Sequence, residues 1–500
     1  MVFFEIFAGF VTFIFLFITY RKWCQTYWTR KNVPTIEPSL MWGNMENPIT
    51  SKHGLKFDIK NAYDHFKKHG HKFGGIYLSG DPIWIPVDQG LIKNILVKDF
   101  AHFMGHGLES NPKTDPLSAN IFNLEGEEWK FMRSKLSPTF TSGKMKMMFS
   151  TLMDCSIPML EHIDGFAGSD KLLDVKDILA SFTTDVIGSC AFGIECNSFK
   201  DPNSEFVKYG QKVFEPTFEN KIKMMLAFAA PFLRRVLSFR MVSLELEQFY
   251  TRIVKSIFDY RESQKVTRND FMQLFIDINQ RAKQTGEKGL TLEQVTAQAF
   301  VFFLGGFETS SSTMTLSLHE LAFNQDIQDK LRAEIKEALK KNNGKLTYDS
   351  LMEMKYLDQV VNETLRKYPI VPFVMRSCNK DYKVPDSNVT IPEGMKLFIS
   401  TLGIHRDSEY YSNPDKFDPQ RFSDENKSEI PQYAYIPFGE GPRICIGLRF
   451  GLMQTKAGLA VLLNKFKFTP KAGEKYDIHF DPRTFNLSKE GNVLLKADRV

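Results

Sequence analysis

Near its carboxyl end the chain reads Phe438-Gly439-Glu440-Gly441-Pro442-Arg443-Ile444-Cys445-Ile446-Gly447 and runs directly into an amphipathic helical pattern. This stretch constrains the fold more than any other. It sets one cysteine just before a helix amino terminus, where free N–H groups and the helix dipole favour a thiolate. Gly439, Gly441 and Gly447 let backbone come close to a flat ligand. Arg443 brings a permanent cation able to pair with a carboxylate, and Phe438 can pack on a cofactor face. The chain holds six cysteines, scattered and without a CxxC. A disulfide scaffold is therefore not expected, and a reducing compartment fits. One cysteine per site serves zinc and iron–sulfur clusters poorly, whereas haem iron with a single axial thiolate fits.

The defined positions, Phe-x-x-Gly-x-Arg-x-Cys-x-Gly, resemble the haem-binding signature of the cytochrome P-450 superfamily. Other motifs follow the same resemblance. Glu363-Thr364-Leu365-Arg366 resembles the family's Glu-x-x-Arg, and its i,i+3 spacing lets the two side chains pair on one helix face. Pro419-Gln420-Arg421-Phe422 resembles the Pro-x-Arg-Phe segment, so Arg421 is expected to join Glu363 and Arg366 in a structural network on the thiolate side. Trp129 and Arg133 resemble the Trp-x-x-x-Arg pair. At i,i+4 they point the same way and can donate to haem propionates. Arg376 is by resemblance another propionate partner. Gly305-Gly306-Phe307-Glu308-Thr309 resembles the oxygen-activating segment of a long central helix. Two glycines inside a helix cost about 1 kcal/mol each relative to Ala, so they need a reason. One reason is an opening for oxygen at Gly305, with Thr309 and Glu308 as a proton relay. The other is a packing notch between helices.

The resemblance implies a mainly α fold with small β elements. It also implies haem b as cofactor (protoporphyrin IX iron with Cys445 as axial thiolate) and insertion of one oxygen atom from O2 into a substrate. The chain carries no GxGxxG fingerprint, so electrons are expected from an NADPH-dependent flavoprotein reductase, with cytochrome b5 as a further partner. Lys130, Lys135, Arg443 and Arg449 are docking candidates. Substrate-facing candidates by position are Ile121, Phe122, Phe302, Val371 and Phe373. All are apolar, which points to a lipophilic substrate; each could equally be core packing. The alternative within the same cofactor chemistry is a reductase-independent isomerase or dehydratase of an oxygenated lipid. The sequence departs from the family pattern at the usual Pro-Pro-Gly-Pro hinge, reduced to Pro34 and Pro38, and at Gly305, where many relatives have Ala.

Val2 to Tyr20 is apolar apart from Glu5. At about 1.5 Å per residue it spans roughly one bilayer core. Arg21, Lys22, Arg30 and Lys31 follow, interleaved with Trp23, Tyr27 and Trp28, a pattern expected at a cytoplasmic membrane interface. No basic n-region or Ala-x-Ala site marks a cleaved signal. The expected organisation is an anchor at 1–20, a basic, aromatic and proline hinge at 21–44, and one catalytic domain at 45–500. By resemblance that places the chain in the endoplasmic reticulum membrane, crossing once, with a cytosolic body. A net charge of +5 on 500 residues argues against a nucleic-acid binder. The 45 Phe outnumber 16 Tyr and 5 Trp together, implying a large aromatic core or an apolar cavity.

Within the body, Leu316–Leu339, Met352–Tyr368 and Leu448–Leu463 carry helical periodicity. Phe73–Val87 reads as a hairpin, and Val389–Ile399 as a strand pattern with a turn at Pro392-Glu393-Gly394. Phe214–Phe239 is apolar with flanking Lys and Arg. It reads as a buried helix or as a surface that dips into a membrane.

Overall fold

A computed structural model describes residues 2–47, 50–108, 110–213 and 240–500. The Phe214–Phe239 stretch therefore lies outside the described residues. The body is helical around one long element, the central helix Leu292–Phe323. Its start is set by a reciprocal cap: Gln294 N–H donates to Thr291 Oγ1, and Thr291 N–H donates to Gln294 Oε1. Buried hydroxyls along it bond back to the preceding turn, Thr313 to Thr309 O at 2.7 Å and Ser317 to Thr313 O at 2.8 Å. This satisfies polar groups on a helix whose second half is buried all round. The helices Val175–Ile187 and Leu448–Lys465 pack against it.

Two expected helices are each divided by one residue. Leu316–Leu339 breaks at Asn324, whose Nδ2 turns back to Glu320 O at 2.8 Å, and a new helix starts at Gln325. Met352–Tyr368 breaks at Met354, and the next helix begins on the Glu334 carboxylate, which accepts from Tyr356 N and Leu357 N. The apolar period continues across both breaks, so periodicity alone cannot reveal them.

The strands are β1 (Phe73–Leu78), β2 (Asp81–Pro86), β3 (Leu173–Asp174), β4 (Val374–Ser377), β5 (Tyr382–Lys383), β6 (Thr390–Ile391), β7 (Lys396–Ile399), β8 (Phe466–Pro470) and β9 (Leu494–Arg499). The largest sheet has the order β1-β2-β7-β4, parallel at β2–β7 and antiparallel elsewhere. The expected hairpin is β1–β2. The Val389–Ile399 pattern holds two strands that do not pair with each other: β6 joins β5, and β7 joins β2 and β4.

The apolar amino-terminal helix runs from Val2 to Cys24, past the expected boundary at Tyr20. Phe3–Cys24 is long and apolar enough to cross a membrane, and its most apolar 18-residue stretch is not buried against the body. The basic and aromatic residues that follow divide. Trp23 stays exposed under the Arg30 guanidinium. Arg21 is buried and donates to the carbonyls of Leu40 and Met41. Trp28 is completely buried, its Nε1 donating to Ile76 O at 3.1 Å. Gly75 makes room for it, since a Cβ there would lie 2.3 Å from the indole. Arg21 and Trp28 thus belong to the body rather than to an interface. Pro34 and Thr35 are stitched to β1: Gly75 N–H donates to Pro34 O, and Thr35 Oγ1 donates to Gly75 O.

One long-range tie stands out. Lys56 is buried, and its Nζ donates to the carbonyls of Asp481, Thr484 and Asn486 at 2.5, 2.9 and 3.2 Å. Burial pulls this ammonium down to about 8.

Candidate functional site

The loop before the Leu448–Lys465 helix is shaped by two left-handed glycines. Gly441 (φ +73°) lies where a Cβ would meet Leu96 O at 2.0 Å, so no side chain fits. Gly439 (φ +71°) has nothing within 4 Å of that position and faces open space. Cys445 N–H donates to Phe438 O at 2.9 Å, which folds the loop back on itself. Gly447 caps the helix. The Cys445 thiol lies deep in the molecule yet is exposed, so it lines an interior space. Burial pushes this thiol up, with the Gly447 N–H and Arg133 pulling the other way. The helix end thus favours the thiolate as expected, through the Gly447 N–H, but burial outweighs it. A cationic metal at the sulfur would, since a coordinating thiol is deprotonated outright.

Four cationic or basic side chains gather nearby. Arg376, on β4, is fully buried. Its Nη1 donates to Met375 O, and its Nε has no partner among the described residues. Burial pulls it down to about 10. Arg443 is pulled down to about 9, first by burial and then by Arg376. Rather than pairing with a carboxylate, it donates to the carbonyls of Met104 (2.8 Å), Ile121 (3.1 Å) and Leu124 (2.5 Å). Its guanidinium stacks 4.3 Å from the Trp129 ring centroid. Arg133, one helical turn beyond Trp129, is also lowered by burial and feels Cys445. His106 is held well below the ordinary imidazole value by burial, Arg376 and Arg443, and its Nδ1 sits 2.7 Å from Phe122 O. Buried cations are normally paired. Arg376 has no carboxylate partner among the described residues, and a dianionic cofactor edge would supply one. The donor set, one thiol beside clustered guanidiniums, fits a haem with two propionates.

The two adjacent glycines of the central helix do different things. A Cβ on Gly306 would meet Ile187 Cδ1 at 2.3 Å, so Gly306 is a packing notch. A Cβ on Gly305 would meet nothing within 4 Å, so Gly305 opens onto space. Thr309 Oγ1 donates to Gly305 O at 2.5 Å, leaving its lone pairs free to accept. The Glu308 carboxyl accepts from Ser312 and is bonded to Ser488; burial pushes it up, with Lys176 opposing.

Glu363 and Arg366 form a fully buried bidentate pair at 2.7 and 2.8 Å. Arg366 also donates to His405 O and Pro414 O. Arg421 approaches Glu363 at 3.4 Å, so the expected trio is together. Behind it, His405 is buried and accepts from Ile436 N–H through Nε2. Burial pulls its imidazole down to about 3.

Some expected positions are placed otherwise. Phe302 is packed among Phe140, Phe271 and Phe275, with centroids 5.3, 5.2 and 6.0 Å away. Phe373 is buried between Phe398 and Phe485. Ile121 is buried, with its N–H on Gln298 and its carbonyl on Arg443. These three are core packing. Phe122 is exposed, against His106, and Val371 is half-buried. Arg443 is buried and is no docking residue. Lys130 and Lys135 are engaged with Glu127 and Glu287, and Arg449 is exposed. Sequence reasoning missed Val301 and Leu304. They lie one helical turn before Gly305 and Glu308 and, like Glu308 and Thr309, are only half-buried, around the exposed Gly305. Counting back by four from those residues would have found them. His106 carried no signal.

A family model described as Cytochrome P450 matches residues 43–495. Cytochrome P450 6a2 of Drosophila melanogaster is 41% identical over 485 residues, 95% of this chain and 95% of that protein. Cytochrome P450 6A1 of Musca domestica is 40% identical over 490 residues, 97% of this chain and 96% of that protein.

Proposed function

The chain belongs to the cytochrome P450 family, and from that premise we propose that it is a haem-thiolate monooxygenase acting on a lipophilic substrate. The observation that carries this reading is a thiol, Cys445, lining an interior space near Arg133, which clusters with Arg443 and the buried Arg376, a guanidinium with no carboxylate partner among the described residues. Cys445 would ligate the iron of haem b. Arg133, Arg376, Arg443, Trp129 and His106 would hold the propionates, and Phe438, Gly439 and Gly447 would border the thiolate side. When bound, the haem supplies oxygen binding and activation.

The protein's own part is positioning and proton handling. Gly305 leaves room beside the Thr309 hydroxyl, which accepts and passes a proton. Glu308, kept protonated more readily by burial, resupplies it through Ser312 or Ser488. Val301, Leu304, Phe122 and Val371 would border the substrate space and exclude water. Glu363, Arg366 and Arg421 would hold the loop that carries the thiolate. Electrons would come from NADPH through a flavoprotein reductase, with cytochrome b5 as a second donor, docking on surface cations such as Lys130, Lys135 and Arg449. The amino-terminal helix would anchor a cytosolic domain in the endoplasmic reticulum membrane.

The test is the carbon monoxide difference spectrum of the dithionite-reduced protein beside Cys445→Ser, followed by turnover with reductase and NADPH. We expect a red-shifted thiolate band, lost in the variant, and product formation that requires NADPH. A band at the histidine-haem position in the wild type would overturn the thiolate assignment. NADPH-independent turnover would point to the isomerase or dehydratase alternative.

A further inference from the structure

His405 ends the short helix Thr401–His405 and is fully buried. Its backbone is tied to the Glu363–Arg366 pair, since Arg366 Nη1 donates to His405 O at 2.9 Å. Its ring reaches a different segment. The N–H of the buried Ile436 donates to His405 Nε2 at 2.9 Å. A buried N–H needs an acceptor, and this one finds it on a side chain 31 positions earlier. An N–H only donates, so Nε2 holds a lone pair and the ring hydrogen sits on Nδ1, near the carbonyls of Leu365 and Arg366. Burial, and then Arg366, keep the ring neutral.

From Ile436 the hold passes into the loop that carries the thiol. Ile436 O accepts from Gly439 N–H at 3.1 Å, and Phe438 O accepts from Cys445 N–H at 2.9 Å. Three hydrogen bonds thus link the imidazole to Cys445. Two tyrosines grip the residues just before. Tyr411 Oη donates to Ala434 O and Tyr435 Oη to Asn362 Oδ1, both at 2.9 Å. The Tyr435 ring also stacks on His405, with centroids 5.4 Å apart and planes 22° apart. On the far side of the loop, Arg443 holds on to the carbonyls of Met104, Ile121 and Leu124. The near side depends on where Ile436 is held.

We propose, on the haem-thiolate reading above, that the His405 imidazole is a positioning residue for the thiolate: by holding Ile436 it sets where the loop presents the Cys445 sulfur to the cofactor. The role asks for an acceptor of fixed reach rather than for bulk. Leucine would fill much of the same volume but leave the Ile436 N–H buried and unpaired, a cost that the loop relieves by shifting toward another acceptor. Glutamine sets a carbonyl oxygen about where Nε2 stands, whereas the asparagine oxygen falls one bond short. The bonds of Tyr411 and Tyr435 survive each of these changes, so the segment stays in place while the loop beyond it is released.

The experiment compares full-length holoprotein in detergent as wild type, His405→Leu, His405→Gln and His405→Asn. Val254→Ala is a destabilised control, its buried side chain lying in the helix Leu244–Gln264, which packs on the central helix. Each protein is reduced with dithionite under carbon monoxide. The share of haem in the red-shifted thiolate band is followed over time, beside haem content and thermal midpoint. We expect His405→Leu and His405→Asn to leave the thiolate band at least about tenfold faster than wild type, as one buried donor left unpaired implies. His405→Gln should stay within about twofold of wild type, because its acceptor is kept. Val254→Ala should melt lower yet keep the wild-type rate. If His405→Leu does not fold, the two amides decide, and equal rates for glutamine and asparagine overturn the proposal. So does a loss of the band in Val254→Ala equal to that in His405→Leu, which marks general destabilisation. A wild type without the thiolate band overturns the haem-thiolate reading itself. A wild-type band that every variant keeps overturns the role of His405 alone.

Discussion

At the scale of single residues, Arg376 is a cation in the interior with no carboxylate partner among the described residues. Arg376→Leu removes that cost from the empty protein and removes a grip on the cofactor. Its thermal midpoint without haem should be equal to or above that of wild type. Haem transfer to an acceptor protein should be roughly tenfold faster, as expected for one lost charge-assisted hydrogen bond of ~1.5 kcal/mol. His405 makes a pH prediction. Its folded value is about 3, against an ordinary value near 6.5 in the unfolded chain. Between those limits the unfolded state binds a proton that the native state does not. The stability from neutral His405 is therefore complete above pH 6.5 and is lost as pH falls toward 3. His405→Gln keeps an acceptor for Ile436 N–H but cannot titrate. Calorimetric melts from pH 6.5 to 4.5 should show a shallower loss than in the wild type.

Among elements, the central helix offers a paired comparison at adjacent positions. Gly306→Ala forces a methyl onto Ile187 and should cost about 1–3 kcal/mol. Gly305→Ala meets open space and should instead stabilise the helix by up to about 1 kcal/mol. The thermal midpoints should therefore move in opposite directions, and only Gly305→Ala should alter product distribution without lowering haem content. This is also where the limits of reading the sequence show. The glycine pair, the Glu363–Arg366 pairing and the cysteine loop could be read because each depends on spacing along one element. Division of labour between Gly305 and Gly306 could not, because it depends on where Ile187 lies. Phe302 and Phe373 were placed by position along the chain, but which face of an element they occupy is decided by aromatic partners contributed from other segments, Phe140 and Phe271 for one, Phe398 for the other. The breaks at Asn324 and Met354 were invisible for a related reason: the caps interrupt the backbone but not the apolar period.

At the scale of the whole molecule, the apolar amino-terminal helix and the body share no clean border. Deleting residues 2–20 leaves Arg21 and Trp28 in place and should preserve the haem spectrum and thermal midpoint while reducing sedimentation with membranes. Deleting residues 2–30 removes the completely buried Trp28. It should cost about 3–5 kcal/mol, the range for losing a buried aromatic side chain. A melt comparison of the two deletions reads this directly. If both melt alike, the body does not depend on the Trp28 contact.

The bond network of Lys56 sets an order of events during synthesis. Its three acceptor carbonyls lie at least 425 positions further along the chain. At about 5–20 residues per second, a ribosome exposes them roughly 20–85 s after Lys56 itself. The helix that carries Lys56 must wait that long for the loop that ties it down. By then Cys445 has also been made, so the tie on Lys56 can form only after the loop that carries the thiol has been synthesised.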